Sequence, residues 1–255
     1  MMNRLKGKTA IITGATSGIG FKTAELFADQ GVHLIITGRR QNRLEEIKED
    51  FEIRFDVNVQ IAAFDVQDPE ACKEFVSSLS GSIDILVNNA GLAKGTDPVY
   101  HASFDDWNAM IDTNMKGLLY LSRLISPQMK ERNTGHIINI CSTAGHEAYA
   151  GGVVYSATKH AVKAITEATK KDLHGSEVRV SMVSPGLVET EFSEVRFGGD
   201  KEKAANVYKG IKPLVAQDIA EIILFVANRP AHVNILDTII YPVAQSSATM
   251  VHRDE

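Results

Sequence analysis

Tyr155 and Lys159 lie four residues apart, and their side chains are of types that can carry out proton chemistry. Positions i and i+4 share one face of a helix, so the ammonium group would lie beside the phenol. A neighbouring cation stabilises the phenolate and lowers a tyrosine pKa that is ordinarily about 10. Such a tyrosine exchanges a proton with an alcohol or carbonyl oxygen near neutral pH, and Ser142 could hydrogen-bond the same oxygen. By itself, a Tyr-x-x-x-Lys pair more often marks a solvated helix face.

The composition excludes several other classes of function. The chain has 255 residues, of which 44% are hydrophobic, and we expect one domain over residues 1–255. A net charge of −5 gives no basic footprint for nucleic acid, and the apolar runs are too short for a membrane span. The first residues lack a signal-peptide core, so we expect a cytoplasmic protein. The two cysteines are far apart, and four of the eight histidines, His136, His146, His160 and His174, lack metal-ligand spacing, so we predict no metal site.

Short apolar runs alternate with amphipathic segments as far as Val183. Strands that are apolar throughout and alternate with helices predict a parallel sheet with helices on both faces. The expected fold class is therefore α/β with a doubly wound parallel sheet. The predicted strands are 9–13, 32–37, 59–64, 83–87, 135–140 and 178–183. The first predicted helix continues to about Gln30, and the others cover 42–55, 69–79, 104–132 and 155–174.

The periodicity loosens after Pro185. Residues 189–212 are polar and contain Gly198-Gly199, which is typical of a mobile segment. We expect this segment to cover the carboxyl edge of the sheet as a substrate lid. Residues 244–255 form a polar C-terminal tail.

The segment Thr13-Gly14-Ala15-Thr16-Ser17-Gly18-Ile19-Gly20 joins the first strand to the first helix. Gly14 would permit the tight turn, Gly18 a close backbone approach and Gly20 close packing of the helix on the sheet. The helix N-terminus would then receive a pyrophosphate, which predicts a dinucleotide site. Within this turn the predicted cofactor-binding residues are Gly14, Thr16, Ser17, Gly18 and Ile19.

The end of the second strand favours NADP over NAD. An NAD enzyme usually has an acidic residue here to bind the ribose 2′-hydroxyl, whereas this strand is followed by Arg39 and Arg40. A guanidinium grips a 2′-phosphate through charge-assisted hydrogen bonds. Farther along the same edge, Asp65 could accept from the adenine amino group. The other residues predicted to line the cofactor are Val66, Asn89, Ala90 and Gly91.

Together these motifs resemble the short-chain dehydrogenase/reductase family over essentially the whole chain. The resemblance rests on the glycine turn, Asn88-Asn89-Ala90-Gly91, Asn114, Ser142, Tyr155 with Lys159, and Pro185-Gly186. It implies a Rossmann-type fold in which Tyr155 is the general acid/base and Ser142 orients the substrate oxygen. It also implies that Lys159 lowers the tyrosine pKa and binds the nicotinamide ribose, and that Asn114 holds a water of a proton relay. On the nicotinamide side, it implies contacts from Pro185, Gly186, Val188 and Thr190.

Three further segments resemble one group within that family. Residues 89–95, 191–197 and 230–235 are similar to NADP-dependent 3-hydroxy acid dehydrogenases, which include enzymes acting on serine and allo-threonine. This resemblance implies an NADP(H) enzyme for a small anionic hydroxy acid or aldehyde. A sulfoacetaldehyde reductase and a broad carbonyl reductase stay open as alternatives. A non-catalytic NADP-binding regulator would be expected to lose Tyr155, Lys159 or Ser142, and this chain keeps all three.

A small hydroxy acid has little apolar area, so its anionic group must supply much of the binding. We therefore predict that Arg196, in the lid, binds the carboxylate or sulfonate, because arginine matches such an anion bidentately. The alternative, which the sequence favours equally, is that Arg196 is exposed on the lid or forms an ion pair with another subunit. Tyr149 would form a wall of the same pocket or serve only in packing.

The resemblance also implies a homotetramer that packs through the long helix from Phe104 and the helix from Tyr155, with a dimer as the alternative. The apolar residues expected on the outer faces of these helices are Met115, Leu118, Leu119, Leu121, Ala161, Val162 and Ile165. In the tail, Arg253 would approach a neighbouring protomer's site.

Overall fold

The computed structural model describes residues 2–254. Its centre is a seven-stranded sheet in the order β3-β2-β1-β4-β5-β6-β9, and every strand pair in it is parallel. This order reverses direction at β1, as in a doubly wound Rossmann-type sheet. The strands are β1 Thr9–Thr13, β2 His33–Gly38, β3 Val59–Ala63, β4 Ile85–Asn88, β5 Gly135–Ile140, β6 Val178–Pro185, β7 Val188–Glu189, β8 Leu214–Val215 and β9 Asp237–Ile240.

Helices cover both faces of the sheet, so the predicted fold class is confirmed. One core joins the strands to Phe27 and Ile223, while the other joins them to Phe75 and Ile125. The helices are α1 Gly18–Asp29, α2 Gln41–Arg54, α3 Pro69–Ser78, α4 Phe104–Ile111, α5 Leu118–Glu131, α6 Val153–Asp172, α7 Glu191–Arg196, α8 Lys201–Asn206 and α9 Ala216–Ala227.

The long helix predicted over 104–132 is interrupted. A π-helical segment, Asp112–Gly117, separates α4 from α5 and contains Asn114. Hydrophobic periodicity cannot reveal such a segment, because one wider turn barely shifts the apolar stripe. Segments of this kind are frequent at functional sites.

The region after Pro185 is more regular than its sequence predicts. Strands β7 and β8 pair in parallel and bring the two ends of the lid segment together, while α7 and α8 form the segment between them. Helix α9 and the edge strand β9 then complete the main sheet.

Polar side chains tie the carboxyl ends of the central strands together. Asn88 at the end of β4 donates hydrogen bonds to Asn139 (2.9 Å) and to Ser122 (3.0 Å), and Asn139 donates to Thr166 (2.9 Å). All four residues are buried. Buried hydrogen bonds of this kind fix the relative positions of β4, β5, α5 and α6, which carry the loops around the predicted site.

Three residues that we expected on outer helix faces belong to the core instead. Leu118, Leu121 and Val162 are no more than 5% exposed, because these sides of the helices pack against the sheet. Leu119 is 40% exposed and does face outward.

Within residues 2–254, no helix combines the length and the apolar character needed to cross a bilayer. In the same residues, no three His, Cys, Asp or Glu side chains converge in a way that could hold a metal ion.

Candidate active site

Tyr155, on the first turns of α6, is buried beneath the lid. Its hydroxyl interacts with Ser142, which follows β5 and caps a short 3₁₀ turn by accepting the N–H of Ala144 (3.2 Å). The ring of Phe192, from α7, lies 5.8 Å from the Tyr155 ring. The structure therefore brings the predicted Ser142–Tyr155 pair together and covers it with a lid side chain.

The pKa of Tyr155 differs from our expectation. Burial raises this pKa, and it outweighs the lowering that comes from the charge of Arg196 and the hydrogen bond with Ser142. The physical reason is that a phenolate loses more hydration in this enclosed site than its polar neighbours replace. The net direction is thus opposite to the one expected, and Arg196 is a cation that opposes the rise in this pKa. The predicted lowering by Lys159 stays a prediction.

Lys159 lies beside Tyr155, as the i, i+4 spacing predicts. Its Nζ is 5.9 Å from the centroid of the tyrosine ring and donates a hydrogen bond to the carbonyl oxygen of Ile140 (2.9 Å). Burial lowers the pKa of Lys159 from its usual range. A Cβ placed on Gly91 would lie 3.7 Å from the same Nζ, so the loop after β4 and the ammonium group share one pocket.

Asn114 is fully occupied by protein partners. Its Oδ1 accepts the N–H of Leu92 (2.8 Å), and its Nδ2 donates to the carbonyl oxygen of Leu92 (2.8 Å) and to Thr158 (3.2 Å). The side chain therefore locks the loop after β4 onto the π-helical segment. Its predicted role in holding a water stays a prediction.

The glycine turn has the backbone geometry that its sequence predicts. Gly14 and Gly18 have φ angles of 64° and 54°, which favour glycine. A Cβ on Gly20 would collide with Gly14 and Asn89, so α1 packs directly on the ends of β1 and β4. Helix α1 begins without a side-chain cap from Ser17, and its first turn has no acidic residue. Its N–H groups and positive dipole end can therefore receive an anion.

Both predicted arginines lie at the carboxyl end of β2. Arg39 pairs with Asp65 across 3.5 Å. Arg40 donates to the hydroxyl of Thr16 through Nε (3.2 Å) and Nη2 (2.9 Å), and it pairs with Glu191 of the lid across 3.2 Å. The guanidinium of Arg40 thus links the glycine turn to the first residue of α7.

The loop after β4 is held against β1. Asn89 donates from Nδ2 to the carbonyl oxygen of Thr13 (2.8 Å), and the N–H groups of Asn89 and Ala90 donate to the Thr13 hydroxyl (3.0 and 2.9 Å). Val66 is buried, and a Cβ on Gly117 would collide with it. The predicted cofactor residues 89–91 and Val66 therefore line the same edge of the sheet.

The loop after β6 completes this edge. The Ser142 hydroxyl donates to the carbonyl oxygen of Pro185 (3.4 Å), and Thr190 caps α7 by accepting the N–H of Phe192 (3.3 Å). A Cβ on Gly18 would lie 3.5 Å from Thr190, so the glycine turn and this loop face each other closely. The Val188 carbonyl accepts a hydrogen bond from Tyr208 (2.8 Å).

The lid places Arg196 over the tyrosine. Its Cζ lies 5.0 Å from the ring centroid of Tyr155 and 5.6 Å from that of Phe192, and its Nη2 donates to the hydroxyl of Tyr149 (2.7 Å). The Arg196 carbonyl accepts the N–H of Gly95 (2.9 Å), which holds the lid to the opposite wall. Within the described part of the chain, the buried Nε of Arg196 has no hydrogen-bond partner.

Arg253 contacts its own lid segment. Its Nη2 donates to the carbonyl oxygen of Val207 (3.0 Å) and its Nη1 to that of Lys209. The N–H of Asp254 donates to Gly210 (2.8 Å). The tail is therefore packed on the end of the lid, and Glu255 lies outside the described residues.

Residues 8–199 match the family model described as short chain dehydrogenase. The chain belongs to the short-chain dehydrogenase family. One relative is the NADP-dependent 3-hydroxy acid dehydrogenase YdfG of Salmonella typhi, which is 49% identical over 248 residues, or 95% of this chain and 98% of that protein. The NADP-dependent 3-hydroxy acid dehydrogenase of Schizosaccharomyces pombe is 45% identical over 258 residues and the full length of both chains.

A solved structure extends this likeness to three dimensions. The closed form of serine dehydrogenase complexed with NADP+ superposes with a TM-score of 0.91 at 48% sequence identity. The match covers 96% of this chain and 100% of that chain. The similarity therefore includes the lid segment as well as the dinucleotide half of the fold.

Two residues of this short-chain dehydrogenase have site contacts that the sequence did not reveal. Thr13 binds the loop after β4 through its hydroxyl, and its position as the polar residue that ends β1 could have indicated this contact. Gln245 binds the loop after β6 from 58 residues farther along the chain, and no local pattern marks it.

Proposed function

We propose that this short-chain dehydrogenase is an NADP-dependent oxidoreductase that interconverts a small 3-hydroxy acid with its 3-oxo or semialdehyde form. The substrate class includes serine, allo-threonine and 3-hydroxypropionate. The observation that carries the substrate assignment is Arg196, whose guanidinium lies over Tyr155 with a buried Nε that no described residue satisfies. A buried cationic donor of this kind favours an anionic partner.

The residues at the carboxyl edge fit the shape and the charge of NADP(H). The uncapped N-terminus of α1 would hold the pyrophosphate, and Arg39 and Arg40 would hold the 2′-phosphate. Residues 89–91 and 185–190 would line the ribose and the nicotinamide. When bound, this cofactor supplies or accepts the hydride.

Tyr155 would carry the proton of the reacting oxygen. In the oxidation direction the phenolate removes the hydroxyl proton, and in the reduction direction the phenol returns it. Ser142 would orient the same oxygen, since it already contacts the Tyr155 hydroxyl. The ammonium group of Lys159 would bind the nicotinamide ribose, and Asn114 would fix the wall beside that ammonium group through Leu92.

Arg196 would bind the substrate carboxylate. Its hydrogen bond to Tyr149 fixes the orientation of the guanidinium plane, and the rings of Tyr155 and Phe192 exclude water from one side of it. A charge-assisted pair gains strength in such an enclosed site. The carboxylate would thereby place the hydroxyl-bearing carbon near Tyr155.

The experiment is a substrate panel assayed with NADP and with NAD. It compares L-serine, L-allo-threonine, 3-hydroxypropionate and isethionate with 1-propanol, a neutral alcohol of similar size. We expect turnover of the carboxylates with NADP and little turnover of 1-propanol. A preference for isethionate, or for sulfoacetaldehyde in reduction, would favour a sulfoacetaldehyde reductase. Equal turnover of neutral and anionic substrates would instead favour a broad carbonyl reductase.

The anion contact is tested separately with Arg196→Ala. We expect the KM for 3-hydroxypropionate to rise by about 10- to 100-fold, or ~1.5–3 kcal/mol, because a hydrogen-bonded charge is lost. Lys203→Ala is the matched control, since Lys203 is a lid cation that pairs with Asp200 at 3.3 Å. An unchanged KM in Arg196→Ala would remove Arg196 from the binding site.

We also propose a cytoplasmic homotetramer. Exposed apolar side chains occur on two separate parts of the protomer: Phe104 and Leu119 on α4 and α5, and Phe225 and Ile239 on α9 and β9. Two separate apolar faces on each protomer support a dimer of dimers. Light scattering should give the mass of four protomers for the parent and of two protomers for Leu119→Glu. A parent with the mass of one protomer would contradict the proposal.

A further inference from the structure

Gln245 follows β9 and is buried, with 5% of its surface exposed. Its Oε1 accepts the N–H of Leu187 in the loop after β6 (2.9 Å), and its Nε2 donates to the carbonyl oxygen of Ser247 (3.0 Å). Both ends of the side-chain amide are therefore used. The residue joins the start of the C-terminal tail to the loop that would face the nicotinamide.

The side chain of Gln245 packs tightly against the loop after β6. A Cβ on Gly186 would collide with Oε1 of Gln245, so the amide packs directly on the peptide between Gly186 and Leu187. The N–H of Gly186 donates to Ile240 (2.7 Å), and the carbonyl of Leu187 accepts from Leu214 (3.0 Å). The middle of the loop is thus fixed by β9, β8 and Gln245, while the side chains of Ser142 and Tyr208 bind the carbonyl oxygens of Pro185 and Val188 at its two ends.

Gln245 is itself held firmly. It forms an antiparallel bridge with Val251, and the N–H of Ser246 donates to the carbonyl oxygen of Met250 (2.9 Å). The tip of the same turn donates from the N–H of Ala248 to Glu147 (3.0 Å), which lies five residues after Ser142. The tail turn is therefore tied to the segment that carries Ser142 as well as to the loop after β6.

We propose that Gln245 is a positioning residue for the cofactor, acting through the backbone of residues 185–188. By accepting the N–H of Leu187, it sets the depth at which Pro185, Gly186 and Val188 meet the nicotinamide ring. Removing this acceptor leaves a half-buried N–H unsatisfied and lets the loop move. The inference rests on the proposed contact of this loop with the nicotinamide.

The test uses three variants of the full-length protein. Gln245→Met keeps the side-chain volume but removes the acceptor, whereas Gln245→Glu keeps an acceptor at the same reach. Gln128→Met is the matched control, because the Gln128 side chain also accepts a backbone N–H, that of Ile83 (3.0 Å), at the opposite end of the sheet. The Kd for NADPH is measured by fluorescence titration, and amide hydrogen exchange is followed in residues 185–190.

For Gln245→Met we expect an NADPH Kd about tenfold higher than that of the parent, with faster exchange at 185–190. We expect Gln245→Glu to stay closer to the parent, and Gln128→Met to lose thermal stability with an unchanged Kd. Gln245→Met with parental Kd, exchange and kcat would overturn the proposal. A Kd that rises equally in Gln128→Met would do the same, since the effect would then be general destabilisation.

These outcomes do not depend on the substrate assignment. If the parent fails to oxidise any 3-hydroxy acid, the proposed function fails, but NADPH binding and loop exchange still report on Gln245. If the parent is active and Gln245→Met has the parental Kd, exchange and kcat, the positioning role of Gln245 fails while the proposed function stands.

Discussion

The guanidinium of Arg196 lies over the ring of Tyr155, with its Cζ 5.0 Å from the ring centroid, while its Nη2 donates to Tyr149. One lid cation therefore contacts the proposed acid/base and is oriented by a second tyrosine. We propose that Arg196 binds the substrate anion, and its charge also lowers the pKa of Tyr155 against the effect of burial. These two effects can be separated by experiment.

Tyr149→Phe should raise the KM for 3-hydroxypropionate by about three- to tenfold and change kcat little. The variant removes the hydroxyl that orients Arg196 but keeps the ring, so it loses one charge-assisted hydrogen bond. The effect should be smaller in an Arg196→Ala background, because the two residues act as a unit. Additive effects in this double-mutant cycle would contradict the link. Tyr100→Phe, at an exposed position, is the control.

Tyr155→Phe should lower kcat by about 1000-fold in both directions, while the Kd for NADPH stays near that of the parent. The change removes only the ionisable hydroxyl and keeps the ring that packs against Phe192. Stopped-flow or steady-state absorbance of NADPH provides the measurement. Parental rates in this variant would favour a non-catalytic NADP-binding role.

Arg196→Ala should shift the pH profile of oxidation to higher pH. Burial holds the pKa of Tyr155 above its ordinary value, and the Arg196 charge opposes that rise. Because oxidation needs the phenolate, its rate increases as pH rises toward this pKa, and losing the cation raises the pKa further. The measurement is kcat/KM for the hydroxy acid as a function of pH, at saturating NADP. If the rising part of this profile does not move, a group other than Tyr155 controls it.

Arg40→Ala should lower kcat/KM for NADP by about 10- to 100-fold and leave the value for NAD nearly unchanged, since only NADP carries the 2′-phosphate. Arg43→Ala is the matched control, because Arg43 pairs with Glu46 (2.8 Å) on the exposed side of α2. Equal losses with both cofactors would show that Arg40 supports the lid through Glu191 instead of reading the phosphate.

The protein should lose stability as pH falls below about 6.5. His136 is buried against Ser181 (2.8 Å), and burial holds its pKa well below the usual value, aided by the charges of Arg179 and Lys170. The unfolded chain then binds the proton more readily, so acid favours unfolding. His136→Gln should flatten the decline of Tm between pH 7 and pH 5. His174→Gln, at an exposed position, should leave the decline as steep as in the parent.

The order of elements and the cofactor end were predictable because they depend on local patterns. Apolar strands alternating with helices give a parallel sheet, and parallel strands must place their carboxyl-end loops at one edge. The sequence alone could therefore place Gly14, Gly18 and Arg40 at this edge of the sheet. The π-helical segment around Asn114 and the short strands β7 and β8 could not be predicted. Each is too short to change the hydrophobic periodicity of the sequence.

The sequence by itself determined the chemistry that is available: a tyrosine four residues from a lysine, a serine upstream of both, and two arginines where an acid would signal NAD. The tertiary structure decided that a second cation, from the lid, also lies over that tyrosine. Lys159 lies 5.9 Å from the ring centroid and donates to the carbonyl of Ile140, and Arg196, 41 residues after Tyr155, lies 5.0 Å from the same centroid. The reason is that desolvation and charge act through distance and burial, which depend on how the lid and the tail pack.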